Sequence, residues 1–405
     1  MPTAEPFRAR PVPGSVRVPR AVLFVTVFTD LLGFGIVIPF LPLYAERLHV
    51  SAFGIGLILS SYSLMQLLCA PLLGGLSDHY GRRPIIMLGL LGSSISYAIY
   101  GFAGSFGVLL ISRAVHGACA GTVSTAQAYV ADTTTQSERA YGMGMIGAAF
   151  GLGFVLGPAI GGVLGHSNLR MPVFFAALLT LVNLGFAAIA LPESHLPNST
   201  ANLTWAAVAA PLLKLPRRLA GHDLSRLFGI AFLGTSSMAA FEATFALMVP
   251  SIYGYGPRGI GELLAFAGLL QAFTQGYLLR KIVARHDELR LIRLGMVAFA
   301  AGMGPMASLP NRGSLWMLVG LLSIGYGLAS PSIASLISRG TEHHAQGEVL
   351  GVNQSALSLA RICGPVMAGL IYQMFTPVAV YAAGGITALV AFALTYGVEA
   401  GAEKK

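Results

Sequence analysis

Four charged side chains stand inside long apolar stretches: Asp30, Arg113, Glu242 and Arg361. A charge held away from water costs stability, so each is a functional candidate by default. A carboxyl group there can take up and release a proton, whereas an arginine keeps its charge and can only hold an anion. At about 1.5 Å per residue from Ala21, Asp30 lies about 14 Å into a hydrocarbon core about 30 Å thick. Arg113, in Ser112-Arg113-Ala114-Val115-His116-Gly117, enters from the other side about six residues earlier, and its long side chain reaches towards Asp30. Asp30 is therefore either a proton site or half of a structural ion pair. Glu242 and Arg361 both lie about 25 Å deep by the same count. They are either partners, or Glu242 titrates or meets a cationic substrate while Arg361 holds an anionic one. Gln66 is placed to hydrogen-bond a substrate or a neighbouring helix, and His116 reads as a packing residue. The sequence brings no nucleophile and base to a common depth, and Cys69, Cys119 and Cys363 are too scattered for a metal cluster. The expectation is no enzyme, no metal and no cofactor.

The elements that carry these charges must be membrane helices. Of 405 residues, 55% are hydrophobic and 10% charged, with mean hydropathy +0.72; a soluble domain has about a quarter of its residues charged. A span needs about 20 apolar residues, and twelve runs qualify, from 21–45 to 377–398. The net charge of +9 would suit nucleic acid if the basic residues clustered on one soluble face. Instead they follow the turns: Arg82, Arg83, Arg139, Arg217, Arg218, Arg280 and Lys281 share one side, with only Arg47, Arg170, Arg258 and Arg312 on the other. That asymmetry is the positive-inside rule; it excludes a nucleic-acid footprint and puts both termini in the cytosol. The layout is a tail at 1–20, six spans over 21–191, a polar linker at 192–225, six spans over 226–398, and a tail at 399–405.

One turn stands out. Gly74-Gly75-Leu76-Ser77-Asp78-His79-Tyr80-Gly81-Arg82-Arg83-Pro84 separates the second and third runs. Orientation alone would account for Arg82 and Arg83, but not for Asp78 or the glycines. The pattern Gly-x-x-x-Asp-x-x-Gly-Arg-Arg resembles the signature loop of the major facilitator superfamily of secondary transporters. The resemblance implies an all-α membrane protein, twelve transmembrane helices in two six-helix halves, working as a monomer by alternating access. It implies a cytoplasmic gate in which Asp78 reaches the N-terminal end of the eleventh helix and Arg82 pairs with Asp132, with Gly74, Gly81 and Arg83 shaping the turn. Arg113 matches the family's membrane-embedded arginine, and spans 7 and 11, which carry Glu242 and Arg361, are neighbours in that fold.

The fifth run contains Gly153, Gly157, Pro158, Gly161 and Gly162, similar to the antiporter motif of exporters. Glycines at such steps make a flat stripe, expected here to pack against the opposite half, and Pro158 removes one backbone donor. The first 195 residues and the region around 345–372 are most similar to tetracycline-type drug exporters, on Asp30-x-x-Gly33-x-Gly35, Gln66-Leu67-Leu68-Cys69-Ala70-Pro71, Tyr129-Val130-Ala131-Asp132 and Leu191-Pro192-Glu193-Ser194-His195. The chain departs from them at Ser96 and Phe299, where those exporters carry carboxylates, so a metal–drug chelate is not the expected substrate. With Phe299 and Tyr326 as cavity residues, the expected substrate is a small amphipathic organic compound or drug, exported across the inner membrane in exchange for protons. The alternative is symport or facilitated passage of an anionic metabolite held by Arg113 and Arg361. Nothing in the sequence favours a membrane enzyme or a receptor.

Overall fold

The computed structural model describes residues 20–194, 222–283, 286–339, 341 and 346–398. The tails and most of the 192–225 linker lie outside them. Helices make up the regular structure of the described residues. The first bundle contains α1 (Arg20–Val37), α2 (Leu41–Arg47), α3 (Ala52–Tyr80), α4 (Arg82–Gly101), α5 (Phe106–Cys119), α6 (Thr122–Thr133), α7 (Gln136–Ser167) and α8 (Met171–Ala190). The second contains α9 (His222–Tyr253), α10 (Pro257–Phe273), α11 (Leu279–Val283), α12 (Glu288–Met303), α13 (Arg312–Arg339), α14 (Gln346–Met374) and α15 (Pro377–Leu394). Their outward faces expose large apolar side chains, among them Val163, Ile189, Ile386 and Leu389. Such a surface is a liability in water and the proper one in a bilayer.

Ten helices among the described residues are long and apolar enough to cross a membrane. The two other predicted runs are built differently. The run expected at 260–279 is α10, a π-helical turn at Thr274–Leu278 and then α11. At that turn the Thr274 hydroxyl donates to the Leu270 carbonyl at 2.7 Å, bonding back onto its own helix. The run expected at 291–309 is α12, whose 16 residues rise about 24 Å before turns take over.

Within the first bundle α1 packs on α7 and α8, and α4 on α5 and α8; within the second, α12 packs on α13 and α15, and α9 on α14 and α15. Two long crossings join the bundles, α3 on α14 and α7 on α10. Both are tight at one end only. A Cβ on Gly56 would strike the Pro365 carbonyl of α14, while one on Gly74 would meet nothing within 4 Å. These glycines are eighteen residues apart, five whole turns at about 3.6 residues each, so they share one face of α3. The same interval separates Gly162, whose Cβ would lie 3.0 Å from the Gly261 Cα, from Gly144, which faces open space. The hydrophobic core repeats the pattern. One cluster unites both bundles through residues such as Phe40, Ile55, Val249 and Met306. Towards the Asp78 turn it divides in two, around Phe228 and Ile333 in one bundle and around Leu23 and Tyr129 in the other. The bundles are closed together opposite the Asp78 turn and spread apart beside it.

The glycine stripe of α7 corrects one expectation. Gly153, Gly157 and Gly161 pack against Leu31, Gly35 and Ile36 of α1, in their own bundle; a Cβ on Gly157 would sit 2.5 Å from the Gly35 carbonyl carbon. Steps of four keep these three on one helix face. Pro158 and Gly162, one position on and so about 100° round, are the residues that meet α10 of the other bundle.

Candidate functional site

The chain unwinds at Ala120–Gly121 between α5 and α6. His116 before the break and Thr122 after it both face α1. The His116 ring lies 6.0 Å from Phe34, and the Thr122 hydroxyl bears on the half-buried Asp30 carboxylate without closing a hydrogen bond. Asp30 forms no ion pair among the described residues.

Arg113 is fully buried, and the expected Asp30–Arg113 pair is not made. Tyr97 and Tyr100 take the guanidinium instead, their ring centroids 5.6 and 5.3 Å from its carbon. Its one polar contact is a long bond from Nη2 to Ser96 Oγ at 3.4 Å, and Nε and Nη1 have no partner. Cation–π contacts contribute about 2 kcal/mol when desolvated, less than the several kcal/mol that burying an ion costs. The Arg113 charge is thus incompletely met by protein.

Tyr62 of α3 connects the charges. Its hydroxyl lies within electrostatic range of Asp30 and Arg113 of its own bundle and of Arg361 of the other. Its ring packs 5.4 Å from Phe34 and 5.1 Å from His116, and its oxygen accepts a long 3.5 Å bond from Gln66 Nε2. Glu242 and Arg361, deep in α9 and α14, are both exposed. They act on one another electrostatically but are not within ion-pair distance. Exposure at that depth marks a solvent-filled cavity between the bundles.

Of the two aromatic residues expected on this cavity, one is in the core instead. Phe299 is fully buried, in the core with its ring 5.9 Å from Tyr326, and cannot touch a substrate. Tyr326, with Thr235, Ser330 and Asn353, lines a recess of about 60 Å³ in the second bundle, Thr235 lying on the same helix as Glu242 and Asn353 on the same helix as Arg361. Ser96 is likewise enclosed, bonding the Ser112 carbonyl at 2.8 Å and tying α4 to α5.

The Asp78 turn is a compact ionic cluster. Arg82 reaches Asp132 of α6 through Nε at 2.9 Å, Asp78 through Nη1 at 2.5 Å and Ser77 Oγ at 2.6 Å. Asp78 remains half exposed, on the spread side of the molecule. Glu193, read from the sequence only as part of a similarity, is a member of this cluster. Its carboxylate accepts the Arg82 and Arg83 backbone N–H groups at 2.8 and 3.1 Å, holding the N-terminus of α4, where a negative charge is favoured. Gly81 fits because its φ is +101° and because any Cβ would lie 2.5 Å from Glu193 Oε2. The available signal was two acidic residues, Asp132 and Glu193, each just after an apolar run. Replacing Glu193 with Ala removes an N-terminal cap and is expected to cost about 1 kcal/mol. The check is thermal unfolding in detergent, with a Tm lowered by about 1 °C.

Two membrane-spanning bundles around a charged cavity, closed at one end, are the construction of a secondary transporter. The chain belongs to the major facilitator superfamily, whose sequence model matches residues 23–365. It is 33% identical over 368 residues to the class C tetracycline resistance protein of Escherichia coli, covering 87% of this chain and 89% of that one. It is 27% identical over 354 residues to multidrug resistance protein 2 of Bacillus subtilis (strain 168), covering 87% and 88%. Among solved structures, the human organic anion transporter MFSD10 (TETRAN) matches with a TM-score of 0.68 and 28% identity over 95% of this chain and all of that one. The nucleoside transporter NupG matches in fold, with a TM-score of 0.76 at 13% identity, over 95% and 99% of the two chains.

Proposed function

We propose that the protein is a proton-coupled exporter of small amphipathic organic compounds, working as a monomer of twelve spans by alternating access. The carrying observation is the pair of cavity carboxylates, Asp30 and Glu242, neither in an ion pair among the described residues, facing a space closed at one end. Asp30 is the proton carrier, next to Thr122 and Tyr62, and Glu242 with Arg361 sets the charge of the opposite wall. The basic Asp78 turn is cytoplasmic, as are both termini, so the spread end faces the cytoplasm of a cell whose inner membrane holds the protein. The Asp78, Arg82 and Asp132 cluster, already formed here, is the part that docks against α14 when that end closes. Relatives named for tetracycline and multidrug resistance support export. Enclosed Ser96 and buried Phe299 supply no oxygen ligands for a chelated metal.

The test is flux in proteoliposomes under an imposed pH gradient, together with survival of a drug-sensitive host. Protection against a lipophilic compound, and little against tetracycline, is expected; strong magnesium-dependent tetracycline efflux would overturn the substrate assignment. A second reading, transport of an organic anion, is favoured by the unpartnered Arg113 nitrogens and exposed Arg361. Proton release on adding substrate in detergent supports antiport; its absence, with saturable anion binding, supports the second reading.

A further inference from the structure

A groove of about 560 Å³ lies on the outside of the first bundle, away from the site above. Its walls are Pro84, Leu88 and Leu91 of α4 and Leu181, Gly185 and Ala188 of α8. Gly185 gives it depth, since a Cβ there would meet nothing within 4 Å. From Pro84 to Leu91 the α4 wall rises about 10 Å, two thirds of one leaflet of a core about 30 Å thick. The end beside the Asp78 turn is closed by a cation. Arg83 Nη2 donates to the carbonyl of Ala188, itself a wall residue, while Nε is buried without a partner. The nearby carboxylate, Glu193, accepts the Arg83 backbone N–H at 3.1 Å.

We infer that this groove binds one phospholipid with an anionic headgroup, an acyl chain between α4 and α8 and the phosphate on Arg83. The two parts do different work. Lipid tails are as apolar as leucine, so the groove holds a chain by shape and does not choose among lipids. The choice rests with Arg83, whose planar fork of donors matches a phosphate at the depth where headgroups lie. A neighbouring protein helix fits less well, because close helix packing uses small residues on both partners. The α4 wall offers only proline, methionine and leucine.

The test is native mass spectrometry of the full chain in detergent with equal amounts of phosphatidylglycerol and phosphatidylethanolamine. The wild type should retain one phosphatidylglycerol, preferred about fivefold, the weight of one basic residue against an anionic surface. Gly185→Leu, which fills the groove from the lipid side, should remove the retained lipid. Arg83→Gln should keep a lipid but lose the preference. Equal retention of both lipids by the wild type would overturn the proposal, as would undiminished phosphatidylglycerol on Gly185→Leu. A dimer mass lost in Gly185→Leu would assign the groove to a second copy instead and equally overturn it.

Discussion

Asp30→Asn is expected to reduce pH-gradient-driven flux in proteoliposomes to the level of protein-free vesicles. The amide keeps the size and the Thr122 contact of the carboxyl and removes only the proton. Because Asp30 makes no ion pair among the described residues, no partner charge there is stranded by the change. The variant should therefore unfold at the wild-type temperature, and substrate exchange without a gradient should persist. Those two controls separate a proton site from a structural carboxylate, whose loss would lower Tm and slow every mode of transport alike. Wild-type flux driven by the gradient would sink the assignment of Asp30 as carrier.

The second large effect is expected at the closed end. A Cβ on Gly261 would run into the Pro158 carbonyl and lie 2.9 Å from the Gly162 Cα, contacts with backbone that cannot rotate away. Gly261→Leu should thus wedge α10 from α7 and penalise the conformation described here by about 1 to 3 kcal/mol. That shifts the balance between the two access states by about 5- to 150-fold. Labelling of a Gly144→Cys probe on the spread face, in a background with Cys69, Cys119 and Cys363 replaced by serine, reports the shift. The expected result is a matching drop in labelling; an unchanged rate would show that this contact does not set the conformation.

What the sequence disclosed and what it withheld divide by the range of the interaction. Membrane helices are written locally, in runs of apolar residues, and ten of the twelve expected runs are helices long and apolar enough to cross a membrane among the described residues. In the ionic turn the Arg82–Asp132 contact was legible from the resemblance, but Asp78, expected at the N-terminal end of the eleventh helix, pairs with Arg82 instead. Other partners set by tertiary packing were not legible. The depths of Arg113 and Asp30 put them within reach of a long side chain, yet depth says nothing of azimuth, and it is Tyr97 and Tyr100 on α4 that lie against the guanidinium. Phe299 sits in an apolar run that looks the same whether it faces a cavity or a neighbouring helix, and it faces α13. The stripe on α7 was legible as a surface for close approach, but which helix approaches it depends on rotation, and α1 and α10 divide it between them.

Under the alternating access proposed above, the two crossings would act mechanically as hinges with a long arm. From the tight contact at Gly56 to the open one at Gly74 the distance along α3 is about 27 Å. A rotation of about 15°, of the size by which packed subunits turn in switching proteins, would sweep the far end by about 7 Å while the residues at the pivot move little. Tolerance is then very uneven along a single helix. A side chain added near the pivot changes the angle, and its effect is multiplied at the tip; the same side chain added at the tip is only a local obstacle. Selection for backbone-to-backbone contact should concentrate at Gly56, Gly162 and Gly261, and relax at Gly144, although all four residues are identical in type.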